Sequence, residues 1–298
     1  HGWSNIMFNV YNRNQGEVFG WHKPGLYLLT WAYLLTPGVL WLGVKYRASL
    51  RAALSRHRLL ACLVWVPVGF FALLSLKKVI GLHWVLSFYP LMFAALALAL
   101  PREVLPKAAR YLAVFLGLHL LVVGGLYTRD LSDWTSAKIY PEIVRSYRTE
   151  ALLAQVQQPD TVIMATAYTP ASIYGHTLKQ YVPVFGVGKF HARQDDLLVN
   201  YATFAGRNVR IISFSRPDLQ DYAPYFEQVG LLEMTQSDAR FYVIEGRSFK
   251  FDVYREQVLG EVFKRYYNIP AWLPMTACPF CERYCGQTRC PRPEGEGR

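Results

Sequence analysis

Four long apolar runs dominate the first 128 residues. Residues 24–44 are uncharged between Lys23 and Lys45, and residues 59–76 are uncharged between Arg58 and Lys77. Residues 79–101 hold His83 as their single ionisable group, and residues 111–128 hold His119. About 20 apolar residues cross a bilayer core, where every backbone polar group must be satisfied within the segment. The pattern predicts four transmembrane helices at about 24–44, 59–76, 84–101 and 111–128, in a membrane domain over residues 1–127.

Beyond about residue 139 the period changes. Residues 140–157 read as an amphipathic helix, 161–165 as a short buried strand, 170–180 as a helix and 181–185 as a strand. A helix over 194–204 and a strand over 208–214 follow. Residues 218–229 are expected to be helical, 231–235 and 241–245 to form a hairpin, and 254–267 to close as a helix. Strands alternating with helices predict a mainly parallel sheet covered by helices. The fold class is therefore a multi-spanning α-helical membrane region followed by an α/β domain over 128–270. Residues 271–298 form a tail rich in Cys, Pro and Gly.

Charge divides the chain at the same place. Residues 1–127 hold 12 basic residues against Glu17 and Glu103, whereas residues 128–298 hold 20 basic and 19 acidic residues. Hydrophobic residues make up 52% of the chain and charged residues 18%, which excludes a disordered or coiled-coil protein. Residues 45–58 contain Lys45, Arg47, Arg51, Arg56 and Arg58 with no acid, and residues 101–110 contain Arg102, Lys107 and Arg110. The turn between the second and third spans carries Lys77 and Lys78 alone. The positive-inside rule puts the two richer loops in the cytoplasm. Residues 1–23 and everything after about residue 128 then share the outer side. The basic excess sits at membrane loops, so nucleic acid is not the expected partner.

Two outer segments concentrate polar chemistry. The first reads Asn12-Arg13-Asn14, then Trp21-His22-Lys23-Pro24 and Tyr27; the second reads Lys77-Lys78, then His83-Trp84 and Tyr89-Pro90. Arg offers a bidentate fork to phosphate and Lys a point charge, so both segments suit an anionic headgroup. Interfacial snorkelling and ordinary flanking charge are the alternatives.

A basic turn followed by aromatic residues and Tyr-Pro at the head of a span resembles a signature of bacterial integral-membrane glycosyltransferases of the GT-C fold. These are the relatives of protein O-mannosyltransferases and lipid A aminoarabinose transferases. The His22-Lys23-Pro24 segment followed by Tyr27 is similar to a loop-and-span element of the same superfamily. The resemblance implies a bacterial inner-membrane enzyme with a periplasmic C-terminal domain. It would move a sugar from a polyprenyl-phosphate donor to an acceptor lipid, glycan or protein. Arg13, His22, Lys23, Lys77, Lys78 and His83 would be its substrate-binding residues. The family's acidic pair in the first outer loop has no counterpart here. The chain, which begins at His1, is therefore expected to be the downstream part of a longer protein that holds the catalytic carboxylate elsewhere. A non-enzymatic four-span anchor presenting a periplasmic binding or assembly domain is the alternative.

Other motifs narrow the field. No GxSxG or HExxH occurs, and Phe185-Gly186-Val187-Gly188-Lys189 lacks the spacing of a phosphate loop. Asp195-Asp196 is expected on a helix face, and His119 in an interhelical hydrogen bond. Cys278, Cys281, Cys285 and Cys290 could bind zinc, pair as disulfides or do neither, and no cofactor is assigned.

Overall fold

The computed structural model describes residues 3, 6–8, 18–187, 194–270, 272–274 and 277–285. The chain divides into two units, a helical one over 16–129 and an α/β one over 1–15 and 130–298.

The helical unit holds α1 (His22–Leu35), α2 (Pro37–Lys45), α3 (Arg47–Arg56), α4 (Arg58–Ser75), α5 (Leu82–Val85), α6 (Tyr89–Ala99) and α7 (Leu105–Tyr127). Among the described residues only α4, with 18 residues, and α7, with 23, are long and apolar enough by themselves to cross a membrane; α1 and α2 make a third candidate if taken together. Four transmembrane helices were expected, and two of those runs are broken at prolines. Residues 24–44 turn by 90° between α1 and α2. Pro37 has no N–H to donate back to Tyr33 and disfavours helical geometry in the residue before it. Thr36 accordingly leaves the helix at φ 62°, ψ 149°. The third run yields the four-residue α5 and then α6, which starts afresh with Pro90 in its first turn and ends before Pro101. Residues 45–58, expected as a loop, contain α3, whose Arg47, Arg51 and Arg56 are exposed.

No residue of α7 is buried by the rest of the chain. Leu116, Leu118, Leu120, Leu121, Val122 and Val123 are all exposed. Leaving six such side chains in water forgoes roughly 1.5–3 kcal/mol each. The sum rivals the whole stability of an ordinary domain, about 5–15 kcal/mol. The helix is thus both unburied and long and apolar enough to cross a membrane.

In the α/β unit, α8 (Tyr140–Tyr147) and α9 (Thr149–Val156) precede β1 (Thr161–Ala165) and α10 (Tyr168–Leu178); β2 (Asn208–Ser213), β3 (Gln228–Gln236) and β4 (Ala239–Arg247) follow. The strand order is β1-β2-β4-β3. Among the described strands only β1 and β2 pair in parallel, with one further parallel bridge between Ala165 and Val184; β4 is antiparallel to both its neighbours. The sheet is thus mixed, not mainly parallel. Two local features divert it from the expected pattern. Pro217 and Pro224 flank a segment where Asp218 caps Gln220, so the expected helix over 218–229 reduces to two 3₁₀ turns and β3 begins at Gln228. Pro183 leaves residues 181–185 with one bridge, between Ala165 and Val184. The hairpin β3–β4 forms across Ser237 and Asp238, both at positive φ.

Side chains alternate across the sheet as a strand period of two requires. Met164, Val209, Ile211 and Ile244 enter one core, while Ile163, Ile212, Phe241 and Val243 enter the other. Both faces are covered, the second by α8, α9 and α10 through Val144, Leu152 and Tyr174. A helical run from Phe251 to Tyr267, with two π segments, contributes Tyr254, Val258 and Val262 to the first core.

Candidate functional site

The two basic segments meet at one end of the helical unit. Lys23, in the first turn of α1, is only 9% exposed. Its ammonium donates to the carbonyls of Val18 at 2.8 Å and Lys77 at 2.6 Å. The Gly20 N–H also donates to the Leu76 carbonyl at 3.4 Å. Lys23 is therefore a clamp between segments 54 residues apart in the chain. A charge-assisted bond to a carbonyl is stronger than a neutral one, so this clamp fixes the end of α4 against the start of α1.

The other lysines and histidines of the two segments flank that clamp in the sequence. His22 and Lys77 are exposed, and Lys78 is half-buried. The Lys78 ammonium lies over the Trp84 ring, 5.7 Å from its centroid. His83 is exposed on α5 and meets the same ring edge-on at 5.8 Å. The clamp thus joins the Lys23 and Lys77–Lys78 segments into one basic mouth, with His22 beside Lys23 in the chain and His83 sharing the Trp84 ring with Lys78. Arg13 lies outside the described residues. Lys23 holds the backbone together, whereas Lys77 and the two histidines face outward.

An apolar groove of about 350 Å³ opens beside the mouth. Its lining includes Pro24 and Ser75, close in the chain to Lys23 and Lys77, together with Tyr27, Trp31, Leu35 and Val68. From Pro24 to Leu35 it follows α1 for roughly 16 Å at 1.5 Å per residue. Tyr27 and Trp31 are buried, their rings edge-on at 6.2 Å, and the Tyr27 hydroxyl donates to the Val68 carbonyl at 2.9 Å. The sequence reading missed this groove. Its one visible signal was the spacing of Tyr27 and Trp31, which puts both on one helix face.

The other singled-out residues have structural roles. His119 meets the carbonyl of Phe115 through Nδ1 at 2.8 Å and the hydroxyl of Tyr33 through Nε2 at 2.9 Å. With Nδ1–H donating, Nε2 accepts from the tyrosine, which ties α7 to α1. Asp195 and Asp196 are fully buried in the α/β unit. Asp195 accepts hydrogen bonds from Tyr181, from the Val184 N–H at 2.9 Å and from Tyr201 at 2.9 Å. Asp196 accepts from Tyr267 at 2.8 Å. A carboxylate so enclosed organises the tyrosines and backbone around it. Of the alternatives for the tail cysteines, Cys278 and Cys281 form a disulfide; Cys290 lies outside the described residues. Among the described residues no cluster of His, Cys, Asp and Glu is arranged to hold a metal ion.

Comparison with protein-family models, with curated proteins and with solved structures finds no match to this chain.

Proposed function

We propose that this chain forms part of an inner-membrane glycosyltransferase that uses a polyprenyl-phosphate-linked sugar, and that it supplies the cations at the donor phosphate. The observation that carries the reading is the Lys23 clamp onto the Lys77 carbonyl beside an apolar groove whose lining includes Pro24 and Ser75, the near neighbours of those two lysines in the chain. A polyprenyl phosphate has the same two parts, an anionic head and a long hydrocarbon tail. In this account residues 45–58 and 101–110 are cytoplasmic, the helical unit crosses the membrane several times, and the α/β unit is periplasmic. The mouth then opens at the outer leaflet, where a lipid-linked sugar is the available donor.

The chemistry is displacement at the anomeric carbon. The bond from that carbon to the donor phosphate oxygen breaks, the bond to the acceptor oxygen forms, and the lipid phosphate leaves with the electron pair. Cations at the departing phosphate stabilise its growing charge. Lys77, the exposed lysine of the mouth, takes this role with Lys78 next to it, and His22 and His83 serve as hydrogen-bonding partners of the headgroup. Among the described residues of the helical unit the only carboxylate is Glu103, beyond the far end of α6. Glu17, the unit's other carboxylate in the sequence, lies outside the described residues. In this reading the unit's contribution is electrostatic, and the acceptor's proton goes to a base outside the mouth.

The test is kcat and KM for Lys77→Ala, Lys78→Ala and the double variant in native membranes. Loss of one such cation should cost about 2–4 kcal/mol of transition-state stabilisation. That is roughly 30- to 1000-fold in rate. An equal fall in kcat and kcat/KM marks help in the transition state. Near-normal turnover by the double variant would overturn the assignment and favour an anchoring role.

A further inference from the structure

We infer that Cys278 and Cys281 form a thiol–disulfide exchange site, through which the α/β unit passes electrons to and from an external dithiol. This inference does not depend on the transferase reading.

The two cysteines are bonded to each other and stand three positions apart where the helix Pro279–Tyr284 begins. A disulfide stabilises a fold mainly by constraining the unfolded chain, and the effect shrinks with the loop it closes. This pair closes a very short loop, so it constrains little. Nor does it seat the helix. Phe280 is buried and stacks on Tyr267 with ring centroids 4.4 Å apart. Arg283 donates to the carbonyls of Val199 at 2.6 Å, Asp196 at 2.9 Å and Leu197 at 3.3 Å. The Tyr284 hydroxyl donates to the Val199 carbonyl and accepts from the Tyr201 N–H, both at 3.0 Å. These contacts hold the helix on the 195–201 segment by groups other than the sulfurs. The bond can therefore open and close within a frame that stays in place.

Access separates this pair from the next cysteine. Cys278 and Cys281 are half-buried, each packed on one side against the first core. Cys285, also in a disulfide, is buried. Exchange requires an incoming thiolate to reach a sulfur, so the half-buried pair is the reactive one.

The two sulfurs are unequal as well. The Cys281 N–H donates to Cys278 Sγ at 3.2 Å. On reduction the same donor faces the Cys278 thiolate, and a hydrogen bond to the charged form of a group favours that form. Thiols in Cys-X-X-Cys pairs commonly ionise more readily than free cysteine. Cys278 is thus the sulfur that attacks and is attacked, and Cys281 the one that resolves.

The step balances with a dithiol as co-reactant. Its thiolate attacks Cys278 Sγ. The Cys278–Cys281 bond breaks, and its electron pair leaves on Cys281 Sγ, which takes up a proton. The donor's second thiol loses its proton and attacks the donor sulfur of the mixed disulfide. The donor's own disulfide closes, and Cys278 departs as a thiolate that is then protonated. Two electrons and two protons pass to the chain, and the reverse sequence oxidises a dithiol.

The experiment uses the purified 298-residue chain in neutral detergent, with Cys62→Ala to remove the exposed free thiol. Dithiothreitol and glutathione redox buffers are the probes, and differential alkylation read by peptide mass spectrometry reports each cysteine. The Cys278–Cys281 bond should open and reclose with the glutathione ratio while near-UV circular dichroism stays native and Cys285 stays bonded. Cys281→Ser should then trap a mixed disulfide at Cys278 at least about threefold faster than Cys278→Ser traps one at Cys281. That is the gain for tenfold more thiolate, less the nucleophilicity lost as the thiolate is stabilised. If either variant fails to fold, the glutathione titration of the intact pair still carries the test. Opening only in denaturant, opening in step with Cys285, or equal trapping by the two variants would overturn the inference.

Discussion

Tyrosine hydroxyls hold much of the polar interior of the α/β unit together. Tyr181, Tyr201 and Tyr267 donate to the two buried aspartates. Burial raises the pKa of Tyr174, Tyr222, Tyr225 and Tyr284 above the ordinary tyrosine value. The sign of the consequence follows from linkage. Above the unfolded-state pKa near 10 the unfolded chain releases protons that the folded chain retains, so stability is intact below about pH 10 and falls as pH rises further. Tyr174→Phe should flatten that fall by up to about 1.4 kcal/mol per pH unit, its one retained proton. Denaturant unfolding at pH 8 to 11.5 checks this; parallel curves for both proteins would show that Tyr174 does not resist ionisation. None of this was legible at residues 195–196. Adjacent aspartates in a polar stretch look solvated, and the tyrosines that enclose them come from positions as distant as 267.

The elements that the pattern located well are those whose local chemistry is uncontested. Residues 59–76 and 111–128 recur as α4 and α7, residues 161–165 as β1, and the hairpin joins β3 to β4. Proline explains most of the departures, because hydropathy counts it as tolerable while the backbone does not. The sharpest case is the break between α1 and α2. Thr36 is 2% exposed, sits in a backbone region that suits glycine, and buries a hydroxyl without a hydrogen bond. Such a conformation costs a β-branched residue about 1–3 kcal/mol. The extra entropy of glycine in the unfolded chain takes back roughly 0.5–1 kcal/mol. Thr36→Gly should therefore stabilise the helical unit, raising its Tm in detergent by a few degrees. A lower Tm would mean that the threonine side chain supports the bend.

At the scale of the whole molecule, the charge asymmetry divided the chain near residue 128, and the two units part between Arg129 and Asp130. Sequence order concealed a second fact. The first residues join the α/β unit: the Trp3 indole donates to the Pro274 carbonyl at 2.8 Å, and Phe8 is buried near Tyr266 with ring centroids 6.3 Å apart. Such long-range packing leaves no trace in local periodicity. The mouth was half legible, since residue types named its cations but could not show that Lys23 and Lys77 are joined. The proposed orientation has a direct consequence. In a Cys62→Ala background, an impermeant thiol reagent applied from outside should label Glu150→Cys and spare Ala52→Cys, both exposed positions. Labelling of Ala52→Cys alone would invert the orientation and remove the mouth from the outer leaflet.

The claim on which the account rests is that the mouth recognises a lipid phosphate. It is tested most directly by comparing binding of a polyprenyl phosphate with the neutral polyprenol of equal chain length, to wild type and to Lys77→Ala/Lys78→Ala in detergent. The account expects the phosphate to bind wild type at least about tenfold more tightly, a difference of 1.4 kcal/mol. It expects that preference to shrink towards parity in the double variant while polyprenol affinity stays the same. Equal affinity of wild type for the two lipids, or a phosphate preference untouched by the double substitution, would contradict it.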